Sequence, residues 1–294
     1  MRLRSRAWDA LLGLAVMAGC GRPAPAARTF ALTDDAGVVT DFARPAGRVV
    51  SLVPAGTELL YALGGGPLLV GRTRWCDYPA EALAVPSVGD GLSPNVEAVI
   101  ARRPDLVLLY RSATNAQAAS RLRGLGVAVL EIAIDRQQDF ERDARLLARA
   151  IGRPGAGDSL VAAVAAKLTA ATATGTGGPS VLALAWTDPP IAIGGGSFLD
   201  EIIRRAGARN LFGDQPQPSF VVSIEAVVAR KPDLILAVGD EEPAFVRRPE
   251  WRAVAAVRDR RFFRVAGSMF DRPSPRIADA VLALRSALDS VRTR

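Results

Sequence analysis

Residues 96–108 read VEAVIARRPDLVL, and residues 224–236 repeat the pattern as IEAVVARKPDLIL. In both copies a polar residue, Asn95 or Ser223, stands where it caps the first turn of a helix. The proline then ends the helix, and the Asp-Leu pair that follows begins an apolar strand. Two copies of this unit predict two lobes of the same topology, because a solenoid needs about three or more units.

The sequence around each copy alternates short apolar runs with helical patterns, which is typical of α/β lobes built on parallel sheets. Between the copies, the Ala-rich residues 158–173 lack glycine and proline and predict a helical rod of about 24 Å. We therefore expect an α/β fold in which two lobes are joined by a single long helix and a ligand cleft lies between them. The predicted divisions are a signal peptide and spacer at 1–27, an N-terminal lobe at 28–152, the connecting helix at 153–177 and a C-terminal lobe at 178–294.

Ligands of such sheets bind beyond the carboxyl ends of the strands and between lobes. Six residues that can contact a ligand follow predicted strands at this edge: Tyr110, Arg111, Trp186, Phe270, Asp271 and Arg272. Aromatic faces suit a flat, largely apolar macrocycle. Guanidinium groups can donate hydrogen bonds to amides, phosphates or carboxylates at the edge of such a ring. For each aromatic residue, packing in a core is the alternative interpretation.

The composition excludes several classes of function. The chain has 294 residues and no histidine, which excludes Ser-His-Asp systems, HExxH motifs and His-ligated metal sites. Only two cysteines are present, and no phosphate-binding glycine motif occurs. The net charge of +7 comes from arginines spread through the chain, so we predict no nucleic-acid partner. We expect a binding protein rather than an enzyme, with no resident metal and no cofactor.

The N-terminus has the pattern of an export signal, with a basic start followed by an apolar core at residues 11–18. Two cleavage sites are possible for this signal. Residues 17–20 resemble a lipobox, in which Cys20 is lipidated, and residues 24–26 offer an ordinary cleavage site after Ala26. Either ending predicts an extracytoplasmic protein, in the periplasm or anchored to a membrane through a lipid alone.

Four segments together resemble the helical-backbone (class III) substrate-binding proteins of ABC importers: 48–64 (RVVSLVPAGTELLYALG), 76–79 (CDYP), 97–106 (EAVIARRPDL) and 270–276 (FDRPSPR). That family serves cobalamin, ferric siderophores, haem and some metals. The resemblance implies two Rossmann-like lobes, a rigid connecting helix and only small hinge closure. It also implies that Trp75 lies in a loop lining the cleft and that Phe220 lies beside the position of a cleft aromatic.

The resemblance is greatest to the cobalamin-binding members. It implies a monomeric protein that captures a corrinoid and delivers it to a permease dimer with its ATPase. A ferric siderophore or haem is the alternative ligand. Because the chain has no histidine, haem iron would need Tyr61, Tyr78, Tyr110 or a methionine as its axial ligand.

Glu97 and Glu225 occupy the same position in the two copies of the repeat. The local interpretation is that each carboxylate lies in the first turn of a helix and interacts favourably with the helix dipole. The resemblance implies a second role, in which one glutamate per lobe docks onto arginines of the two permease subunits. Bidentate carboxylate–arginine pairing suits such docking.

Overall fold

The computed structural model describes residues 30–175, 177–239, 242–265, 268–270 and 272–292. The strands of the N-terminal lobe are β1 (Phe30–Thr33), β2 (Val39–Phe42), β3 (Val49–Ser51), β4 (Leu69–Arg72), β5 (Leu106–Tyr110) and β6 (Ala128–Ile132). Strands β3 to β6 form a parallel sheet in the order β4-β3-β5-β6. Strands β1 and β2 form an antiparallel hairpin that contacts β6.

The C-terminal lobe contains a mixed six-stranded sheet. Its strands are β7 (Ser180–Thr187), β8 (Pro190–Ile193), β9 (Arg209–Asn210), β10 (Ser219–Val221), β11 (Leu234–Val238) and β12 (Phe262–Val265). The order is β10-β8-β7-β11-β12, with β9 paired to β7. Strands β7, β11 and β12 are parallel, so their carboxyl ends lie at one edge of the sheet.

Helices cover both sheets and join the lobes. They are α1 (Pro54–Ala62), α2 (Val96–Ile100), α3 (Ala116–Gly124), α4 (Gln137–Ala150), α5 (Pro154–Ala171), α6 (Phe198–Arg205), α7 (Ile224–Arg230), α8 (Ala255–Arg258) and α9 (Ile277–Arg292).

The two copies of the sequence repeat fold alike, as α2–β5 and α7–β11. The residue before each proline, Arg103 or Lys231, has a left-handed φ of 49° or 50°. The aspartate after each proline then ties the strand to its neighbour. The Asp105 carboxylate accepts hydrogen bonds from the backbone N–H groups ahead of β3, and the Asp233 carboxylate accepts them from the N–H and hydroxyl of Ser180 in β7.

Helix α5 connects the lobes and packs on α4 of the first lobe and on α9 of the second. Its 18 residues span about 27 Å. The buried residues of α5 recur at helical spacing: Gly157, Val161, Val164, Leu168 and Ala171. A Cβ atom on Gly157 would lie 2.9 Å from the Ala148 Cβ, so the glycine allows α4 and α5 to approach closely. One hydrophobic core includes buried residues of both lobes and of α5.

The structure differs from the sequence-based expectation at β8, β9 and β10, which form strands that we did not predict. Proline and glycine bound the short segment of β8, and these residues obscure its strand pattern. None of the glycines at residues 194–196 has a left-handed φ, so the backbone conformation does not explain why glycine occurs there. A Cβ atom on any of the three would lie 2.1–2.2 Å from a backbone oxygen of the facing loop, so glycine is required for the close packing of the two loops.

Candidate ligand cleft

Two groups of contacts join the two lobes beyond the carboxyl ends of their strands, where the ligand cleft is expected. On one side, the Arg136 guanidinium, after β6, donates to the backbone carbonyl of Gly196 in the other lobe at 3.3 Å. On the other side, the Arg276 guanidinium, after β12, lies 3.7 Å from the ring centroid of Tyr78, which follows β4. Segments that leave the carboxyl ends of β4 and β12 therefore meet between the lobes, as parallel sheets predict.

The residues 73–79, which we call the ligand loop, carry the first predicted cleft aromatic. Trp75 is 57% exposed. Its indole N–H donates to the Asp90 carboxylate at 3.3 Å, and the Arg74 guanidinium lies 5.4 Å from its ring centroid. Cys76 beneath it is fully buried and contacts the Thr73 hydroxyl at 3.2 Å, so the thiol anchors the loop.

Trp186 is the corresponding aromatic of the C-terminal lobe. It lies near the carboxyl end of β7 and is 62% exposed. Its indole N–H donates to the backbone carbonyl of Asp188 at 2.7 Å, which fixes the ring while leaving its face open. The ring face is therefore open to a ligand or partner.

Tyr110 is half-buried at the end of β5, and its hydroxyl donates to the Asp135 carboxylate at 2.8 Å. Burial, followed by that hydrogen bond, raises the pKa of Tyr110 to about 12, so its phenol stays protonated at neutral pH. Arg111 beside it is exposed, and no carboxylate of the described residues lies within ion-pair distance of it. Arg111 therefore offers hydrogen-bond donors to a ligand, whereas the single hydroxyl proton of Tyr110 is already donated to Asp135.

Two of the predicted aromatics occupy positions unlike those expected. Phe270 is only 3% exposed and belongs to the main hydrophobic core, so it offers no face to a ligand. Phe220 is half-buried on β10 and packs edge-on against Phe212, with 5.4 Å between ring centroids. Because Phe270 lies beyond a strand end, its sequence position alone did not distinguish core packing from ligand contact. Asp271 lies outside the described residues.

Arg272 was expected to donate to a ligand, and the structure instead gives its guanidinium two protein carboxylates. Its Nε donates to Glu58 Oε1 at 2.9 Å, and its Nη2 donates to Asp77 Oδ1 at 2.7 Å. Glu58 also accepts two hydrogen bonds from Arg276, at 2.7 and 2.8 Å. We call these four residues the cleft floor. Glu58 is on α1 of the first lobe, so the ion pairs cross between the lobes.

Glu58, Asp77 and Arg276 were not predicted from the sequence to form one cluster. A signal for Glu58 was present, because it is the sole charged residue of an otherwise apolar or small helix, α1. A carboxylate in such a helix is rarely buried without a partner. The identity of the partner required the fold, because the two arginines are more than 200 residues away along the chain.

The two glutamates of the repeat are both exposed, each in the first turn of its helix. Hydrogen bonds from the helix-start backbone lower the pKa of Glu97 and of Glu225, so both are ionised at neutral pH. Their side-chain partners differ. Glu97 pairs with Arg121 in its own lobe at 3.0 Å, whereas the Ser223 hydroxyl is the side-chain partner of Glu225.

A family model described as "Periplasmic binding protein" matches residues 49–267, which include both sheets and the connecting helix. The chain belongs to the periplasmic binding protein family. The predicted resemblance to class III substrate-binding proteins, with two α/β lobes, is thereby confirmed. Cys20, the candidate lipidation residue, lies outside the part of the chain that the structure describes.

Relatives of this periplasmic binding protein span most of its length. An ABC transporter substrate-binding lipoprotein of Bacillus subtilis is 33% identical over 98% of this chain and 98% of its own. A vitamin B12-binding protein of Vibrio cholerae is 27% identical over 81% of this chain and 87% of its own. Among solved structures, the apo form of the periplasmic haem-binding protein from Roseiflexus sp. RS-1 has a TM-score of 0.75 and 26% identity, covering 83% of this chain and 98% of that one.

This periplasmic binding protein is the substrate-binding component of an ABC importer. Members of the family are binding proteins rather than enzymes and work with permease and ATPase partners. It is a periplasmic or lipoprotein substrate-binding protein. Within the described residues, none of the helices has both the length and the apolar character needed to cross a bilayer. The same residues contain no cluster of three or more metal-ligating side chains.

Proposed function

We propose that this periplasmic binding protein captures a corrinoid, such as cobalamin, and delivers it to an ABC permease dimer. The observation that carries the proposal is the pair of exposed indoles, Trp75 and Trp186, one on each lobe and each near the carboxyl end of a strand, β4 or β7. In this proposal a flat macrocycle enters between the lobes and stacks on both indole faces. Each stacked aromatic contributes about 1–3 kcal/mol to such binding.

The balanced charge of the cleft floor separates the candidate ligands. The guanidinium groups of Arg272 and Arg276 are matched by the carboxylates of Glu58 and Asp77, which leaves no net positive charge. An anionic ferric siderophore would gain from a cluster of unpaired cations, which the cleft floor does not provide, whereas a near-neutral corrinoid gains mainly from hydrogen-bond donors at its edge. The exposed guanidinium of Arg111 supplies such donors and is a single cation. The relative named as a vitamin B12-binding protein supports the same ligand.

Haem is the second candidate, and Tyr78 is the observation that favours it. Tyr78 lies on the ligand loop, is partly exposed, and its hydroxyl has no hydrogen-bond partner among the described residues. Tyrosine is a known axial ligand of haem iron. Tyr110 is less suited to this role because its hydroxyl is bonded to Asp135 and its pKa is about 12. The haem-binding protein of similar structure supports this alternative.

For delivery, we propose that Glu97 and Glu225 dock onto arginines of the two permease subunits and that the binding protein works as a monomer. Both carboxylates are exposed and ionised. Their places in the repeated units suit a partner with two-fold symmetry. For location, we propose lipidation of Cys20, with cleavage after Ala26 as the alternative. The lipoprotein relative, which aligns over 98% of this chain, supports the lipid anchor.

The test is a calorimetric titration of the purified mature protein with cyanocobalamin, cobinamide, haemin and a ferric hydroxamate. We expect one cyanocobalamin per chain. Trp75→Ala and Trp186→Ala should each weaken binding by roughly 5- to 150-fold, the equivalent of about 1–3 kcal/mol. Leu125→Ala is the matched control, because Leu125 is also exposed but lies at the amino end of β6, away from the cleft.

Two results of this titration would assign a ligand other than a corrinoid. Binding of haemin alone, with an absorption spectrum that Tyr78→Phe changes, would assign haem and its axial ligand. Capture of the hydroxamate alone, weakened by salt, would assign a siderophore.

A further inference from the structure

The cleft floor joins a helix of one lobe to a segment of the other. Glu58 lies on α1, at the carboxyl end of β3, and Arg272 and Arg276 lie between β12 and α9. Both oxygens of the Glu58 carboxylate are used. Oε1 accepts from Arg272 Nε at 2.9 Å and from Arg276 Nη2 at 2.7 Å, and Oε2 accepts from Arg276 Nε at 2.8 Å. The Glu58–Arg276 pair is therefore bidentate, which fixes direction as well as distance.

Burial makes the ion pairs of the cleft floor costly to break. The side chain of Glu58 is only 1% exposed, and those of both arginines are mostly buried. With Asp77, the four groups carry two negative and two positive charges. Removing one partner from a buried ion cluster leaves an unmatched charge, which is far costlier than losing an exposed pair. The spacing of the lobes at the cleft floor is therefore held by ion pairs as well as by α5.

The same two arginines also contact the ligand loop. Arg272 Nη2 donates to Asp77 at 2.7 Å, and the Arg276 guanidinium covers the face of Tyr78. Arg276 is in turn held from its own lobe by the Ser268 hydroxyl, 2.9 Å from Nη2. The loop that presents Trp75 is thus held from both lobes, by the Asp90 carboxylate of its own lobe and by Arg272 and Arg276 of the opposite lobe.

We propose that Glu58, Arg272 and Arg276 are positioning residues for ligand binding. They couple the spacing of the lobes to the presentation of Trp75 and Tyr78. This inference rests on the proposed function in one respect, namely that the ligand loop faces the ligand. Glu58 contacts no ligand in this scheme. It acts by orienting two arginines, which orient the loop.

The first experiment needs no ligand. In a Trp186→Phe background, the tryptophans of the described residues are Trp75 on the ligand loop and Trp251, which is fully buried. Acrylamide quenching and fluorescence anisotropy then report mainly on Trp75. We expect Glu58→Gln to increase the local mobility and quenching of Trp75 by about twofold. Glu201→Gln is the matched control, because Glu201 pairs with Arg205 within α6 alone.

The second experiment measures cyanocobalamin affinity in the otherwise unchanged protein. We expect Glu58→Gln to raise Kd at least tenfold and Glu201→Gln to leave it within twofold. Arg276→Lys keeps the charge but loses the bidentate pair, and we expect it to resemble Glu58→Gln. If Arg276→Lys bound cyanocobalamin with wild-type affinity, the positive charge alone would explain the role of Arg276, and the positioning role would be refuted.

The two experiments separate the inference from the proposed function. If the wild type binds none of the probes while Glu58→Gln frees Trp75, the ligand assignment fails and the positioning role stands. If Glu58→Gln changes neither Trp75 mobility nor Kd, the positioning role is overturned. Should Glu58→Gln fail to fold, Asp77→Asn serves instead, because Asp77 is half-exposed and, among the described residues, its carboxylate forms an ion pair with Arg272. Unchanged Trp75 mobility and Kd in that variant would equally overturn the inference.

Discussion

Replacing Asp143 with asparagine should flatten the pH dependence of folding stability. The Asp143 side chain on α4 is fully buried, 3.4 Å from the Arg142 guanidinium. Arg142 also pairs with Asp35 of the β1–β2 hairpin at 2.6 Å and with Asp139 at 2.9 Å. Three carboxylates therefore share one guanidinium. Burial first, and the nearby Asp35 charge second, raise the pKa of Asp143 to about 8.

The sign follows from the proton balance. The pKa in the folded protein is higher than the ordinary value near 4, so the folded chain binds a proton that the unfolded chain releases. The contribution of Asp143 to stability is fully present below about pH 4 and is lost as pH rises toward 8. One proton changes the free energy of unfolding by about 1.4 kcal/mol per pH unit. Between pH 5 and pH 7.5 the loss is at most about 3 kcal/mol.

Urea unfolding at pH 5, 6, 7 and 8 measures this loss as the difference between the wild type and Asp143→Asn. Carboxylates far from Arg142 change the stability of both proteins equally, so the difference reports on Asp143 and on the carboxylates that share Arg142 with it. We expect the free energy of unfolding of Asp143→Asn to increase steadily relative to that of the wild type as pH rises from 5 to 8. Asp158→Asn is the control, because Asp158 also pairs with an arginine of α4 but is exposed. Parallel pH curves for the wild type and Asp143→Asn would refute the reasoning.

Three further predictions concern the ligand, docking and anchoring. Arg111→Ala should weaken cyanocobalamin binding about equally at low and high salt, as titration would measure; strong salt dependence would favour an anionic ligand. Glu97→Arg and Glu225→Arg should leave ligand affinity nearly unchanged but reduce cellular uptake of the ligand roughly tenfold or more, since each reverses one member of an interfacial charge pair. Normal uptake in the double variant would contradict docking. Cys20→Ala should release the protein from membranes on fractionation, whereas a mature N-terminus at Ala27 would contradict lipidation.

The sequence predicted most of the architecture because local and global signals agree there. The repeated Asp-Leu after proline marked the starts of β5 and β11, and buried parallel strands read as continuous apolar runs. The repeat also predicted that Glu97 and Glu225 occupy equivalent places. Strands β8 and β10 were missed because prolines and glycines surround these short strands, which pair with each other and, through β8, with β7.

The cleft was harder to predict than the fold. Trp75 and Trp186 are exposed near strand ends, whereas Phe270 also lies beyond a strand end and is buried. Arg272 looked like a free donor because the carboxylates that hold it, Glu58 and Asp77, belong to the other lobe. Contacts between distant segments determine which strand-end residues remain available, and periodicity carries no information about them.

The shared core around α5 has a consequence for how an exported chain acquires its structure. A chain that crosses a membrane emerges from its N-terminus first. One surface of α5 is covered by α4, which precedes it, and another by α9, which is the last helix of the described chain. The α9-facing surface of α5 therefore stays uncovered until α9 has crossed. A chain truncated before α9 should leave this apolar surface exposed and be degraded by extracytoplasmic proteases.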